Sequence, residues 1–234
     1  MQVSKEEKDF KVVEGFDWFW MMFSDNSWEP STFKIFDTFL SEHKNYMDIG
    51  AWIGPTVLYG APLAKKVFAF EPDPVAYKAL RENVELNEIE NVWHAPIAVS
   101  SKWKNIEIGV KNRLGDSMSS ILWSNHRIAV PSIPFVTLVN EIKPNFIKID
   151  IEGGEIDLLV DSMAVLKMYK PTVHLSLHTP WFSGETFEKY AHIIKLALGS
   201  YPHILDENLK ETTLDERLKS PGFVALVATY EEVA

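Results

Sequence analysis

Tyr46-Met-Asp-Ile-Gly-Ala-Trp-Ile-Gly-Pro-Thr56 reads as a short apolar strand ending in a carboxylate, a turn with two glycines four residues apart, and a helix opening at Pro55. Glycines at such a turn let the backbone approach a ligand at the carboxyl edge of a sheet, where open α/β folds bind. The pattern is D-x-G-x-x-x-G and not the G-x-G-x-x-G that seats a pyrophosphate, and Asp48 would repel such an anion. Outward from this turn, short apolar runs alternate with helical patterns, which predicts a mostly parallel sheet covered on both faces. The expected strands are Tyr46–Ile49, Val67–Phe70, Val92–Ala95, Phe146–Ile151, Val173–Leu177, Ile204–Asp206 and Phe223–Thr229, with helices at Thr56–Ala64, Val75–Leu86, Glu155–Leu166 and Thr186–Leu198. Ser100 to Val136 forms a long non-helical insert, with alternation at Ile106–Val110, and inserts of that length are often functional loops. Its stretch Gly115–Ser120 is a candidate for closing over a site.

The second strand ends Phe70-Glu-Pro-Asp-Pro74, placing Glu71 about twenty residues past the glycine turn, where an acidic side chain accepts hydrogen bonds from ribose hydroxyls. The negative charge of Asp48 suits a cationic amino-acid ligand, such as the methionine part of S-adenosylmethionine. A third stretch, Phe146-Ile-Lys-Ile-Asp-Ile-Glu-Gly-Gly-Glu155, is a strand ending in carboxylates, and its alternation puts Lys148, Asp150 and Glu152 on one side. Glu155 falls in the first turn of the next helix, where the dipole favours negative charge, and that structural role is the expected one. Further on, His174, Ser176 and His178 share a face, and His178 at the strand end is either a structural histidine or a proton acceptor for a substrate hydroxyl. The aromatic run Phe16–Phe23 is expected in the core and not over a substrate.

The chain has 234 residues, enough for one hydrophobic core, so one domain at 45–234 is expected with a helical extension at 1–44 packed on it. With 46% hydrophobic and 24% charged residues it is ordinary globular material, and no apolar run spans a bilayer. The amino terminus lacks signal-peptide character, so a cytoplasmic location is expected. The absence of cysteine excludes disulfides, thiolate metal sites and a cysteine nucleophile. A net charge of -10 argues against a nucleic-acid partner and leaves a small molecule or glycan as the expected acceptor.

D-I-G-x-x-x-G at Asp48–Gly54, F-E-P at Phe70–Pro72, the stretch Asn83–Asn87 and above all K-I-D-I-E-G-G-E at Lys148–Glu155 resemble the FkbM-type methyltransferases, class I S-adenosylmethionine-dependent enzymes. The resemblance runs from about Tyr46 to Leu177. It implies a Rossmann-like, seven-stranded sheet with a reversed final hairpin strand, and O-methylation, commonly of sugar or polyketide hydroxyls. Gly50 and Gly54 would then line the methionine part, Glu71 the ribose and Ala98 the adenine neighbourhood. The full expected cofactor set is Asp48, Gly50, Ala51, Gly54, Thr56, Glu71, Pro72 and Ala98. Trp52 stands where the family often has Asn, and Thr137-Leu-Val139 where it tends to have T-L-D, so that Asp's role is absent or passes to Asn140.

A hydroxyl needs a base or an acidifying metal before it attacks a methyl group. The expected catalytic set is Asp150 with Glu152 or His178, acting directly or through a divalent cation such as Mg²⁺ on Asp150 and Glu152. Methylation of a sugar or glycan hydroxyl is the leading expectation. A polyketide-like acceptor, a nicotinamide-dependent oxidoreductase and a non-catalytic cofactor-binding module are the alternatives.

Overall fold

The computed structural model describes residues 1–110, 113–117, 119–122, 125 and 127–232. In chain order the elements are β1 (Gln2–Lys5), β2 (Lys8–Lys11), α1 (Asp17–Ser24), α2 (Pro30–Phe39), β3 (Asn45–Ile49), α3 (Pro55–Gly60), β4 (Lys66–Phe70), α4 (Pro74–Leu86) and β5 (Val92–Ala95). There follow β6 (Ala98–Ser100), β7 (Lys104–Ile108), β8 (Ile128–Pro134), α5 (Phe135–Ile142), β9 (Phe146–Ile149), α6 (Glu155–Leu158), α7 (Met163–Tyr169) and β10 (Thr172–Leu177). A 3₁₀ turn at Thr179–Trp181 leads to α8 (Gly184–Leu198), β11 (His203–Leu205), α9 (Leu214–Lys219) and β12 (Val224–Thr229).

Seven strands form one sheet in the order β11-β12-β10-β9-β3-β4-β5. β3, β4, β5, β9 and β10 run parallel, while β12 lies antiparallel between β10 and β11. The strand order reverses between β3 and β9, and the carboxyl edge at such a switch point is where open α/β sheets bind ligands. Strand alternation sends Tyr46, Val67, Ala69 and Phe146 into a core shared with α3, α4 and the amino-terminal segment, while Met47, Ile147, Ile149 and Leu175 join a second core under α5, α7 and α8. Among the described residues no helix is long and apolar enough to cross a membrane.

Three expectations change. The amino-terminal segment opens with a β-hairpin before its two helices, because Val3, Lys5 and Phe10 face inward at period two. Buried Lys5 donates to the Phe23 carbonyl at 2.9 Å and lies over the Phe33 ring at 4.3 Å. The helix expected at Glu155–Leu166 is two, α6 and α7, interrupted where Asp161 adopts φ +61°. The insert between residues 100 and 136 is built mainly as a second sheet, β6-β8-β7, and its positions 111, 112, 118, 123, 124 and 126 lie outside the described residues.

Candidate functional site

The turn after β3 is shaped by the protein's own packing. Gly50 has φ +84°, and a β-carbon there would stand 1.9 Å from the Asp150 carbonyl oxygen. Gly54 has φ +92°, and its β-carbon would meet Leu80 Cδ1 at 2.6 Å. Gly54 therefore supports the turn and does not reach the cavities described below, contrary to the sequence expectation. Asp48 is likewise not presented to a ligand. It is fully buried, its Oδ2 accepting from the Tyr46 and Thr56 hydroxyls at 2.6 Å each, and burial pushes its carboxyl above the ordinary value. An aspartate on an inward-facing strand position is enclosed once the amino-terminal segment covers that face.

Past the turn, Trp52 is left-handed at φ +48°. Its backbone N–H donates to Glu71 Oε2 at 2.8 Å, and its indole Nε1 donates to the Gly115 carbonyl at 3.0 Å. Glu71 Oε1 accepts from the Asp73 N–H at 2.8 Å. Glu71, with one backbone donor on each oxygen, lines a cavity of about 370 Å³, a size usual for small-molecule sites. Burial pushes the Glu71 carboxyl up to about 8, against the two backbone donors. Gly50, Pro72 and Ala98 line the same cavity, with Phe70 and Ile97, and β7 contributes Ile106 and Ile108. Ala51 and Thr56 line a smaller adjoining recess of about 110 Å³. The insert's loop supplies Ser117 and Ser119 and is tied down by Asp73, whose Oδ2 accepts from Gly115 N at 2.8 Å and Ser119 Oγ at 3.1 Å.

The carboxyl end of β9 supplies the charged part. Asp150 and Glu152 line the first cavity and also a second one of about 400 Å³, so the two cavities meet at these residues. Glu152 sits at φ +54°, with its carbonyl accepting from Ser120 Oγ. Lys148 Nζ donates to Asp150 Oδ2 at 3.1 Å, and His178 Nε2 lies 3.2 Å from Glu152 Oε2 and 3.6 Å from Asp150 Oδ1. Behind it, His178 Nδ1 lies 2.8 Å from Oε1 of fully buried Glu155. Although burial opposes its charge, Glu155, Glu152 and Asp150 together push His178 up to about 11. Of the two roles open to His178, the structural one fits this geometry better, because both ring nitrogens already face carboxylates. Burial also works against the charge of Asp150, but Lys148 and His178 hold its carboxyl below the ordinary value, whereas burial raises that of Glu152.

His174, expected on the same face, pairs with Lys148 across β9 and β10 and lines neither cavity. Burial, then Lys148, pushes it down to about 3, so it is a neutral core histidine. Ser176 does line the second cavity, whose mouth carries Trp181 and Phe223 with ring centroids 5.5 Å apart. Glu29 and Glu207 line it as well. The sequence reading missed Glu29, Trp181, Phe223 and the hold of Glu155 on His178, since only the fold brings these distant positions together. The aromatic run is core as expected: Phe19, Trp20 and Phe23 are buried, with Trp18 and Met21 on the outer face. Asn140 is exposed on α5.

Asp150, Glu152 and His178 each place one potential metal-ligand atom within 4.8 Å of the others. Magnesium favours oxygen ligands, and here an imidazole is one donor while the Lys148 ammonium already sits on Asp150. The donor set therefore fits an ion-pair network better than a Mg²⁺ cage.

The family model of the methyltransferase FkbM domain matches residues 48–207. No curated protein matches the chain in sequence. Among solved structures, methyltransferase FkbM from Methylobacillus flagellatus KT is similar, with a TM-score of 0.52 and 17% identity over 80% of this chain. This chain spans 44% of the length of that protein. Precorrin-6y C5,15-methyltransferase from Geobacter metallireducens GS-15 has a TM-score of 0.50 and 13% identity over 95% of this chain and 94% of its own. At these identities the two structures speak for the fold, a Rossmann-like class I methyltransferase, and the family model carries the membership. With its match over most of the chain and its motif carboxylates gathered at the switch point of the sheet, the chain belongs to the FkbM methyltransferase family.

Proposed function

We propose that this chain is an S-adenosylmethionine-dependent O-methyltransferase acting on a hydroxyl of a sugar or glycan. The observation that carries the reading is the pair of cavities meeting at Asp150 and Glu152. The first suits the cofactor: Glu71, once ionised, can accept from a ribose diol, Gly50 approaches the methionine part, and Pro72, Ala98 and Ile97 make an apolar slot for a base. Bound there, the cofactor supplies a methyl group already activated by a sulfonium, so the protein's task is chiefly to position the acceptor. The second cavity suits that acceptor, with Trp181 and Phe223 offering aromatic faces to the C–H side of a ring and carboxylates accepting from its hydroxyls. Asp150, kept ionised by Lys148 and His178, takes a hydrogen bond from the acceptor hydroxyl and aims its oxygen at the methyl group. The net charge of -10 speaks against a nucleic-acid acceptor.

Calorimetry with S-adenosylhomocysteine and with NADH, followed by transfer of labelled methyl groups to a panel of free and nucleotide-linked sugars and polyketide alcohols, tests this. The expected result is binding of the first ligand alone and labelling of a sugar hydroxyl. Binding of NADH alone would return the chain to the oxidoreductase reading, and cofactor binding with no transfer to any acceptor would make it a binding module. Asp150→Asn is expected to abolish transfer while leaving S-adenosylhomocysteine affinity within about threefold, since the substitution keeps the side chain's size and removes only its charge. We further propose that no divalent cation takes part, so chelation with EDTA leaves the rate unchanged.

A further inference from the structure

Three carboxylates converge where the acceptor cavity meets the glycine turn: Asp150, Glu152 and Glu29. Asp150 is engaged by Lys148 and His178, and Glu152 by His178. Glu207, farther along the same cavity, is paired with Arg217. Glu29 differs. Its Oε2 accepts from the Thr32 hydroxyl at 3.0 Å, and among the described residues it has no ion pair with a lysine, arginine or histidine. Glu29 also stands just before Pro30 in a left-handed conformation at φ +40° and ψ +52°, which is sterically costly for a residue with a β-carbon, more so ahead of proline. A strained, half-buried glutamate lining two adjoining cavities is the kind of feature a fold retains where a site requires it.

We propose that Glu29, contributed by the amino-terminal segment outside the family match at 48–207, is the group that removes the proton from the acceptor hydroxyl. The proposal rests on the methyl-transfer reading above. In the step, the hydroxyl O–H bond breaks and its proton passes to a Glu29 carboxylate oxygen. The hydroxyl oxygen forms a bond to the methyl carbon while the carbon–sulfur bond breaks, its electron pair staying on sulfur as a neutral thioether. Asp150 and His178 hold the geometry, and neither is suited to take the proton: the one is kept acidic, and both ring nitrogens of the other already face carboxylates. The groups facing Glu29 are Asp150 and Glu152 from the end of β9, which disfavour its charge, and Lys148, which favours it; His178 and Glu207 share the cavity. Burial first and Asp150 second push the Glu29 carboxyl up to about 7, the range in which a base works best near neutrality.

The test begins with carbon-detected titration of protein labelled at glutamate carboxyls, the Glu29 signal being assigned by its disappearance in Glu29→Gln. A midpoint near 7 is expected, and one at the ordinary value of 4.5 overturns the proposal. On the sugar labelled in the acceptor panel, Glu29→Gln should lower kcat about 100-fold or more, leave KM within threefold, and remove the acid limb of the kcat profile. Glu29→Asp should recover part of kcat. S-adenosylhomocysteine affinity should stay unchanged in both variants, which also reports that they fold. A Glu29→Gln enzyme with the parent's kcat and acid limb overturns the proposal and leaves the methyltransferase reading standing. Failure of the parent protein to bind S-adenosylhomocysteine overturns both.

Discussion

At Glu71, burial and a place in the lining of the first cavity fall on the same carboxyl. Enclosed at the tip of β4, its carboxyl holds a proton up to about pH 8, yet a ribose diol needs both oxygens as acceptors. Ligand binding at neutral pH therefore releases that proton. The sign follows directly: the ionised fraction grows about tenfold per pH unit below the free-protein value and levels off above it. S-adenosylhomocysteine should bind progressively tighter from pH 6 to 8 and then level off, with proton release detectable by calorimetry in buffers of different ionisation enthalpy. Glu71→Gln should bind more weakly and without this pH dependence. Equal pH dependence in parent and variant would assign the proton to another group.

Among the elements, α4 joins the Rossmann-like sheet to the insert. Asp73 is its N-cap, with Oδ1 accepting from Val75 N at 2.8 Å and Ala76 N at 3.2 Å. The other oxygen holds Gly115 N and Ser119 Oγ in the loop beside the first cavity. Asp73→Ala removes the cap, worth about 1 kcal/mol, and leaves the buried Gly115 N–H without its acceptor, worth about 1–3 kcal/mol more. We expect a loss of about 2–4 kcal/mol in urea denaturation, with weaker S-adenosylhomocysteine binding because the loop loses its anchor. The sequence reading started this helix at Val75, one residue late, and did not see the cap's second task, since Gly115 lies 42 residues from Asp73.

At the scale of the whole molecule, the amino-terminal segment is a wall of the core and not an appendage. Phe36 and Phe39 pack on Phe146, and Phe33 on Tyr59, so removing residues 1–44 would bare one aromatic face of the sheet. A chain starting at residue 45 is expected to lose cooperative thermal unfolding and to expose apolar surface to a dye such as ANS, whereas a native melt would make the segment dispensable. The parallel sheet and its glycine turn were legible in the residues, because period-two alternation and turn chemistry are local and leave their mark within a few residues; the alternation expected to carry the row Lys148, Asp150 and Glu152 ends with β9 at Ile149, and Glu152 is placed by a left-handed turn. It also placed Glu71 at the cavity. Packing, by contrast, is what turns Asp48 inward, braces His178 between Glu155 and the carboxylates of β9's end, and brings Glu29 to the second cavity. Those outcomes depend on which distant groups share a low-dielectric space, and charge, burial and proximity of that kind are properties of the packed chain, not of any segment within it.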